Sequence, residues 1–344
     1  MINQDKIYGL TKVGSFLNNY LTQSPDTYDT KQQELQAILK RSEVENPWFD
    51  EANLRFSLES WASLLNASAL ETWLSKYHFE SKNKRVGLIL AGNIPMVGWH
   101  DVMSVILSGN IPVIKLSSKD RWLIPFLLKL WNDNAEGGIS YELVERLENF
   151  DAVIATGSNN TARYLEYYFK DHKSIIRKNR TSVAVVSEND SDEDLRKLAD
   201  DIFIYYGLGC RNVTRLLIPE DYKLDRLFEN FIDYQSIINH NKYANNYDYN
   251  RAVFLLNQDK FWDNNFVMLK EDDKLFSPLA VINFSRYKSL DEVKAFINDN
   301  EGDIQAVVTN LDLGTESVKL GEAQQPSLDT YADNVDTMAF LAGL

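Results

Sequence analysis

The chain has 344 residues, 44% of them hydrophobic and 25% charged, an ordinary globular composition that excludes disorder as the reading of the whole. A net charge of −14, with no block rich in Lys or Arg, argues against nucleic acid and anionic membranes as main partners. The single cysteine, Cys210, excludes an internal disulfide and a thiolate-based zinc site, and the four histidines lack a paired ligand spacing, so no metal is expected. The opening MINQDKIYGLTKVGSF has no basic stretch followed by an apolar core, and no run approaches the ~18 apolar residues of a membrane span. The expectation is a cytoplasmic protein of about two domains.

The first 80 or so residues carry apolar side chains at helical spacing, over 31–41 and 53–77, with Pro47 between them. From Arg85 the pattern becomes α/β. Residues 86–90 form an apolar run that ends in Ala91-Gly92-Asn93, as a buried strand ends in a turn. A helical pattern follows over 97–107, a second strand over 111–116 and a helix over 120–131. A third strand, 152–155, enters a Gly-containing turn and a helix that runs through Phe169. A fourth, 183–186, precedes Ser191-Asp192-Glu193-Asp194, an N-cap with an acidic first turn. Beyond Cys210, strands are expected at 213–218, 252–256, 279–284 and 304–309, and a helix at 290–297. Alternation of this kind implies a doubly wound α/β fold with a parallel sheet whose ligands bind outside the carboxyl ends of the strands. The turns after Leu90, Leu116 and Ala155 should therefore share one cleft. The expected domains are 1–206, the helical N-terminal region with a Rossmann-like cofactor domain, and 207–325, a smaller α/β domain carrying the cysteine. A tail over 326–344 should pack back on the first.

Four segments could carry chemistry. In Tyr206-Gly207-Leu208-Gly209-Cys210-Arg211-Asn212, two glycines leave room for a substrate beside the backbone, and the adjoining Arg211 favours thiolate. A lone cysteine is nonetheless most often a core residue. No histidine is near in sequence, so a cysteine–histidine dyad is not indicated. Asn93, in Ala91-Gly92-Asn93-Ile94-Pro95, is either part of an ordinary turn or an amide donor for an oxyanion. Lys115-Leu116-Ser117-Ser118-Lys119 sets two cations and two hydroxyls at a strand end, which suits a phosphorylated ribose, although single lysines there are usually just solvated. Thr156-Gly157-Ser158, a turn entering a helix, suits cofactor phosphates or nicotinamide, but one glycine is a weak signal. His100 and His172 are proton-donor candidates for which a structural reading is stronger. The Asn- and Tyr-rich stretch 243–249 reads as a hydrogen-bonded loop or the lining of a channel.

In this order the segments AGNIPMVGWHDVMSVILSGN, IKLSSKD, ATGSNNTARYLEYYF, YYGLGCRNV, YANNYDYNRAVFLLN, SPLAVINF and AQQPSLDTYADNVDTM resemble the aldehyde dehydrogenase superfamily. Within it they are similar to the acyl-CoA reductase branch, the LuxC-type fatty acid reductases. The likeness runs from about residue 85 to the C-terminus and covers the N-terminal helices only loosely. The resemblance implies the nucleophile's place for Cys210 and the oxyanion-hole place for Asn93, with the Cys210 backbone N–H as its partner. It implies ribose contact for Lys115, and the turn beside the nicotinamide for Gly157 and Ser158, next to Thr156. Oxidising members carry a glutamate base where this chain reads Arg177-Lys178-Asn179-Arg180-Thr181-Ser182, so the base that would hydrolyse an acyl-enzyme is missing. They also often carry a glutamate three residues after the ribose-contacting lysine. Here Ser118 and Lys119 occupy that region, which favours NADPH over NADH. Lys274 stands where a ribose-binding glutamate is usual, and Leu208 replaces a common glutamine, which leaves the cofactor's pose open.

The resemblance implies an acyl-CoA or acyl-carrier thioester as substrate, reduced to the aldehyde. It also makes a homodimer the expectation and leaves room for an acyltransferase or synthetase partner. The alternatives are a CoA-acylating aldehyde dehydrogenase running oxidatively, a non-reducing acyl-carrier or binding subunit, and a degenerate, purely structural partner.

Overall fold

The computed structural model describes residues 4–79 and 83–344. They divide into two compact units, 1–178 with 327–344, and 179–326.

The first unit opens with four helices, α1 (Gln4–Thr22), α2 (Thr30–Glu45), α3 (Glu51–Leu64) and α4 (Ala67–Leu74). Leu10, Val13 and Leu17, at helical spacing on α1, are fully buried, each contributing roughly 1.5–3 kcal/mol. Asp29 caps α2 through a reciprocal box with Gln32, and Asp50 caps α3. The single helix expected over 53–77 is broken because Asn66 accepts from the Ala69 N–H at 2.9 Å and starts α4 anew.

The sheet of this unit follows: β1 (Arg85–Ile89), α5 (Trp99–Leu107), β2 (Ile111–Lys115), α6 (Leu123–Asn134), β3 (Glu142–Leu143), β4 (Ala152–Thr156), α7 (Asn159–Tyr168) and β5 (Lys173–Arg177). Every pair is parallel and the strand order is β3-β2-β1-β4-β5. The order reverses between β1 and β4. That switch point is where a doubly wound sheet opens a crevice at its carboxyl edge.

The second unit contains β6 (Thr181–Val185), α8 (Asp192–Phe203), β7 (Val213–Pro219), α9 (Asp225–Phe231), α10 (Asn241–Asn257), β8 (Trp262–Asp263), β9 (Met268–Glu271), β10 (Val281–Tyr287), α11 (Leu290–Asp299) and β11 (Ile304–Val308). Its sheet runs β11-β6-β7-β10-β9-β8, with only β8–β9 antiparallel. Val183, Val185, Leu217, Val293, Ile297 and Val307 form its core.

The last helix, α12 (Thr337–Ala342), belongs to the first unit with the rest of 327–344. The Tyr331 hydroxyl accepts from Trp73 Nε1 at 2.8 Å and lies 2.7 Å from the Tyr77 hydroxyl. Arg177 on β5 pairs with Asp101 on α5 and donates to Thr337 Oγ1 at 2.9 Å, all three buried.

Two of the expected strands also differ from expectation. The strand at 183–186 does not extend the first sheet. It pairs with β7 and β11, so the units divide at 178/179 rather than at 206/207. The run 252–256 is not a strand but the end of α10. A short apolar run cannot be told from a helical segment by periodicity, and of these five residues only Phe254 is buried.

Candidate active site

Seven of the residues singled out in the sequence lie at the carboxyl ends of three adjacent strands of the first unit. Asn93 follows β1, Lys115 ends β2 with Ser118 and Lys119 just beyond, and Thr156 ends β4 ahead of Gly157 and Ser158. Asn93, Lys115, Ser118, Lys119 and Ser158 have exposed side chains.

The loops after β1 and β2 are locked together. A Cβ at Gly92 would come within 2.5 Å of Ser117 Oγ, so the approach itself requires glycine. Leu90 N–H donates to the Lys115 carbonyl at 3.2 Å. Met96 adopts a left-handed φ of 55° and its N–H donates to Asp120 Oδ2 at 2.8 Å. Asp120 is buried, and loss of solvation pushes its carboxyl up to about 6 even though backbone N–H groups pull it down.

The step from an ordinary 3.8 to about 6 corresponds to roughly 3 kcal/mol. The folded chain holds the proton more tightly, so stability falls as pH rises through this window. Asp120→Asn keeps an acceptor for Met96 without the charge. It should be more stable than wild type at pH above the window and lose that advantage below it, as urea unfolding at each pH would read.

Ser158 caps α7, accepting from the Thr161 N–H at 3.3 Å. Lys115, the Ser118 hydroxyl and Lys119 at the end of β2, and the amino end of α7 after β4, set hydrogen-bond donors and cations at the carboxyl edge of this sheet. The one carboxylate in this loop, Asp120, is turned inward to Met96.

Cys210 lies in the second unit, in a turn just ahead of β7, and is half-buried. The approach to it is unusual. Tyr205, Tyr206 and Gly207 are all left-handed, with φ of 57°, 58° and 76°. That conformation costs a non-glycine residue roughly 1–2 kcal/mol. Tyr206 and Gly207 line a cavity of about 60 Å³ with Thr214, Ser277, Leu279 and Ala280 among its other walls. Burial pushes the Arg211 guanidinium down, while the Cys210 thiolate and Glu316 pull it back up. Attraction between charges is mutual, so cationic Arg211 favours the ionised thiol.

His100 is packed against Trp73 and Tyr331, with Nε2 donating to the Leu328 carbonyl at 2.8 Å. His172 lies against Phe150 and Phe169. Both are placed as packing groups. Residues 243–249 are helical: Tyr243 and Tyr247 are buried, and the Tyr247 hydroxyl donates to Asp263 Oδ1 at 2.6 Å. Arg177, in the stretch that lacks a base, is spent on Asp101 and Thr337. Lys274 lies in the loop ahead of β10, its carbonyl accepting from the Asn283 side chain at 3.0 Å. What sequence reasoning missed is the second member of Arg211-Asn212: Asn212 is wholly buried under the cysteine turn.

Residues 10–227 match the acyl-CoA reductase (LuxC) family, a span that includes Asn93, Lys115, Ser118, Lys119, Thr156, Gly157, Ser158 and Cys210. The chain belongs to that family. It is also 26% identical over 149 residues to an N-succinylglutamate 5-semialdehyde dehydrogenase of Vibrio cholerae, a stretch covering 38% of this chain and 30% of that enzyme. Among solved structures it resembles aldehyde dehydrogenase 21 of Physcomitrella patens, determined with the product succinate, with a TM-score of 0.68 and 15% identity over 98% of this chain and 83% of the other. It also resembles a Bacillus cereus aldehyde dehydrogenase in complex with NAD+, with a TM-score of 0.61 and 11% identity over 90% and 72% of the two chains. These likenesses show that this LuxC-family chain has the aldehyde dehydrogenase fold. Among the described residues no helix is long and apolar enough to cross a membrane.

Proposed function

We propose that the chain reduces an acyl thioester to an aldehyde, using Cys210 as nucleophile and NADPH as reductant. The observation that carries this reading is the cysteine turn: the chain's one thiol stands beside cationic Arg211 on a strained backbone in a chain of the LuxC family.

In this reading the Cys210 thiolate attacks the thioester carbonyl and forms a carbon–sulfur bond. The carbonyl π pair moves onto oxygen, where the Asn93 carboxamide and the Cys210 backbone N–H would stabilise it. Collapse breaks the bond to the original thiol, which leaves as thiolate and takes a proton, and an acyl group remains on Cys210. Bound NADPH would supply the hydride that reduces this acyl group. The resulting thiohemiacetal alkoxide re-forms the carbonyl as its carbon–sulfur bond breaks, releasing aldehyde and restoring the Cys210 thiolate. No carboxylate in 177–182 is available to activate water against the acyl-enzyme, which favours reduction over hydrolysis.

Lys115, Ser118, Lys119 and the Thr156-Gly157-Ser158 turn would hold the cofactor. The cationic, hydroxyl-bearing end of β2 supports NADPH over NADH. Ser118→Glu should raise KM for NADPH about tenfold or more, with a much smaller change for NADH. Steady-state kinetics with both cofactors would check this. An equal effect on the two would remove the 2′-phosphate from the account. The substrate is an acyl-CoA or a carrier-bound thioester, and NADPH consumption with aldehyde formation on an acyl-CoA panel is the direct test.

A further inference from the structure

The Asn212 side chain and its backbone N–H make five hydrogen bonds from a site with no solvent exposure. Its Oδ1 accepts from the Gly209 N–H at 2.8 Å, and its own N–H donates to the Gly209 carbonyl at 3.1 Å. Its Nδ2 lies 3.1 Å from the Asp201 carbonyl, 3.3 Å from that of Ile202 and 2.8 Å from that of Ile204. Those three carbonyls come from the end of α8 and the residue after it, where backbone acceptors lack helical partners. One side chain thus ties the exit of α8 to the residue immediately before the thiol, across the three left-handed residues 205–207.

A carboxamide is the only neutral group of this length with an acceptor on one side and two donor hydrogens on the other. Aspartate would set a carboxylate oxygen against three carbonyls, and alanine would leave four buried polar groups unmet. The turn is fastened again from β6, where Ser182 Oγ donates to the Cys210 carbonyl at 3.2 Å and Thr181 Oγ1 to the Asn212 carbonyl at 3.3 Å. The Gly209 N–H is consumed by Asn212, so it is not a donor for an oxyanion at Cys210.

We infer that Asn212 is a positioning residue: its buried carboxamide sets the conformation of the cysteine turn and holds the thiol beside Arg211. This rests on the reading of Cys210 as nucleophile, but its test does not depend on turnover. Without the clamp the 205–207 segment relaxes toward ordinary backbone angles, the thiol moves away from the cation, and the thiolate becomes scarcer at neutral pH.

The experiment is the pH profile of Cys210 alkylation by iodoacetamide in the full chain, for wild type, Asn212→Ala and Asn212→Ser. Asn230→Ala serves as the control. Asn230 is also buried in the second unit and bonds the Arg226 carbonyl at 2.9 Å, so its loss costs stability without touching the turn. The expected result is a midpoint about one pH unit higher in Asn212→Ala, which slows alkylation at neutral pH about tenfold. Asn212→Ser, which keeps a hydroxyl, should fall between and serves if the alanine variant does not fold. Asn230→Ala should follow the wild-type profile. Profiles for the Asn212 variants that overlie wild type, or an equal shift in Asn230→Ala, would overturn the inference. Aldehyde formation that survives Cys210→Ser would defeat the nucleophile reading instead, and leave the alkylation result standing.

Discussion

Cys210→Ser is expected to lower aldehyde formation from an acyl-CoA by on the order of 10³-fold or more, with NADPH still bound. The size follows from what the thiolate supplies. In the proposed mechanism it is the attacking atom, the holder of the acyl group and the leaving group on release, so its removal would eliminate a path rather than weaken a contact. Serine keeps the shape of the side chain but has no ionised form that Arg211 could favour at neutral pH. Binding of NADPH should persist because the groups proposed to hold it lie on β2, β4 and their loops, in the other unit. Titration of cofactor fluorescence alongside the rate assay separates the two. Loss of both together would mean that the variant is misfolded or that the cofactor reading is mistaken. A wild-type chain that is acylated by acyl-CoA yet never consumes NADPH would favour the carrier reading.

Asn93→Ala is expected to reduce kcat by about 10²–10³-fold with little change in KM, the signature of a donor that acts only on developing charge. Gly92 against Ser117 and the Met96 N–H on Asp120 hold the backbone there. The Asn93 side chain itself is exposed. Asn93→Asp would replace the proposed donor with a negative charge and should fall further. A change confined to KM would reassign Asn93 to ground-state binding.

Much of this was legible before any coordinates. The strands β1, β2 and β4 are apolar runs closed by Gly, Asn or Ser, and their ends coincide with the candidate loops because a parallel sheet places all its carboxyl ends on one edge. What periodicity could not provide was partnership. The run at 183–186 looks like any buried strand, and only its hydrogen bonds to β7 and β11 place it in the second sheet. β5 escaped notice because KSIIR is short and bounded by charge, so β4 was left without its outer neighbour. The segment 252–256 has a strand-like composition but continues a helix capped at its start by His240.

At the candidate site, Cys210 and Asn93 stood out by type and setting, whereas Asn212 did not. An asparagine two residues beyond a thiol reads as a solvated turn residue until its burial and its bonds to Asp201, Ile202 and Ile204 are seen. The cue was present in the adjoining glycines: a turn that bends so sharply needs a polar side chain to collect the carbonyls it strands.

The central claim is a covalent acyl group on Cys210 that is reduced rather than hydrolysed. A single-turnover experiment tests it most directly. The chain is incubated with acyl-CoA alone, the peptide containing Cys210 is examined by mass spectrometry, and NADPH is then added while aldehyde is measured. The account predicts an acyl adduct on that peptide that persists without NADPH and disappears on its addition as an equal amount of aldehyde forms. Absence of the adduct, or its conversion to free acid at the same rate with and without NADPH, would contradict it.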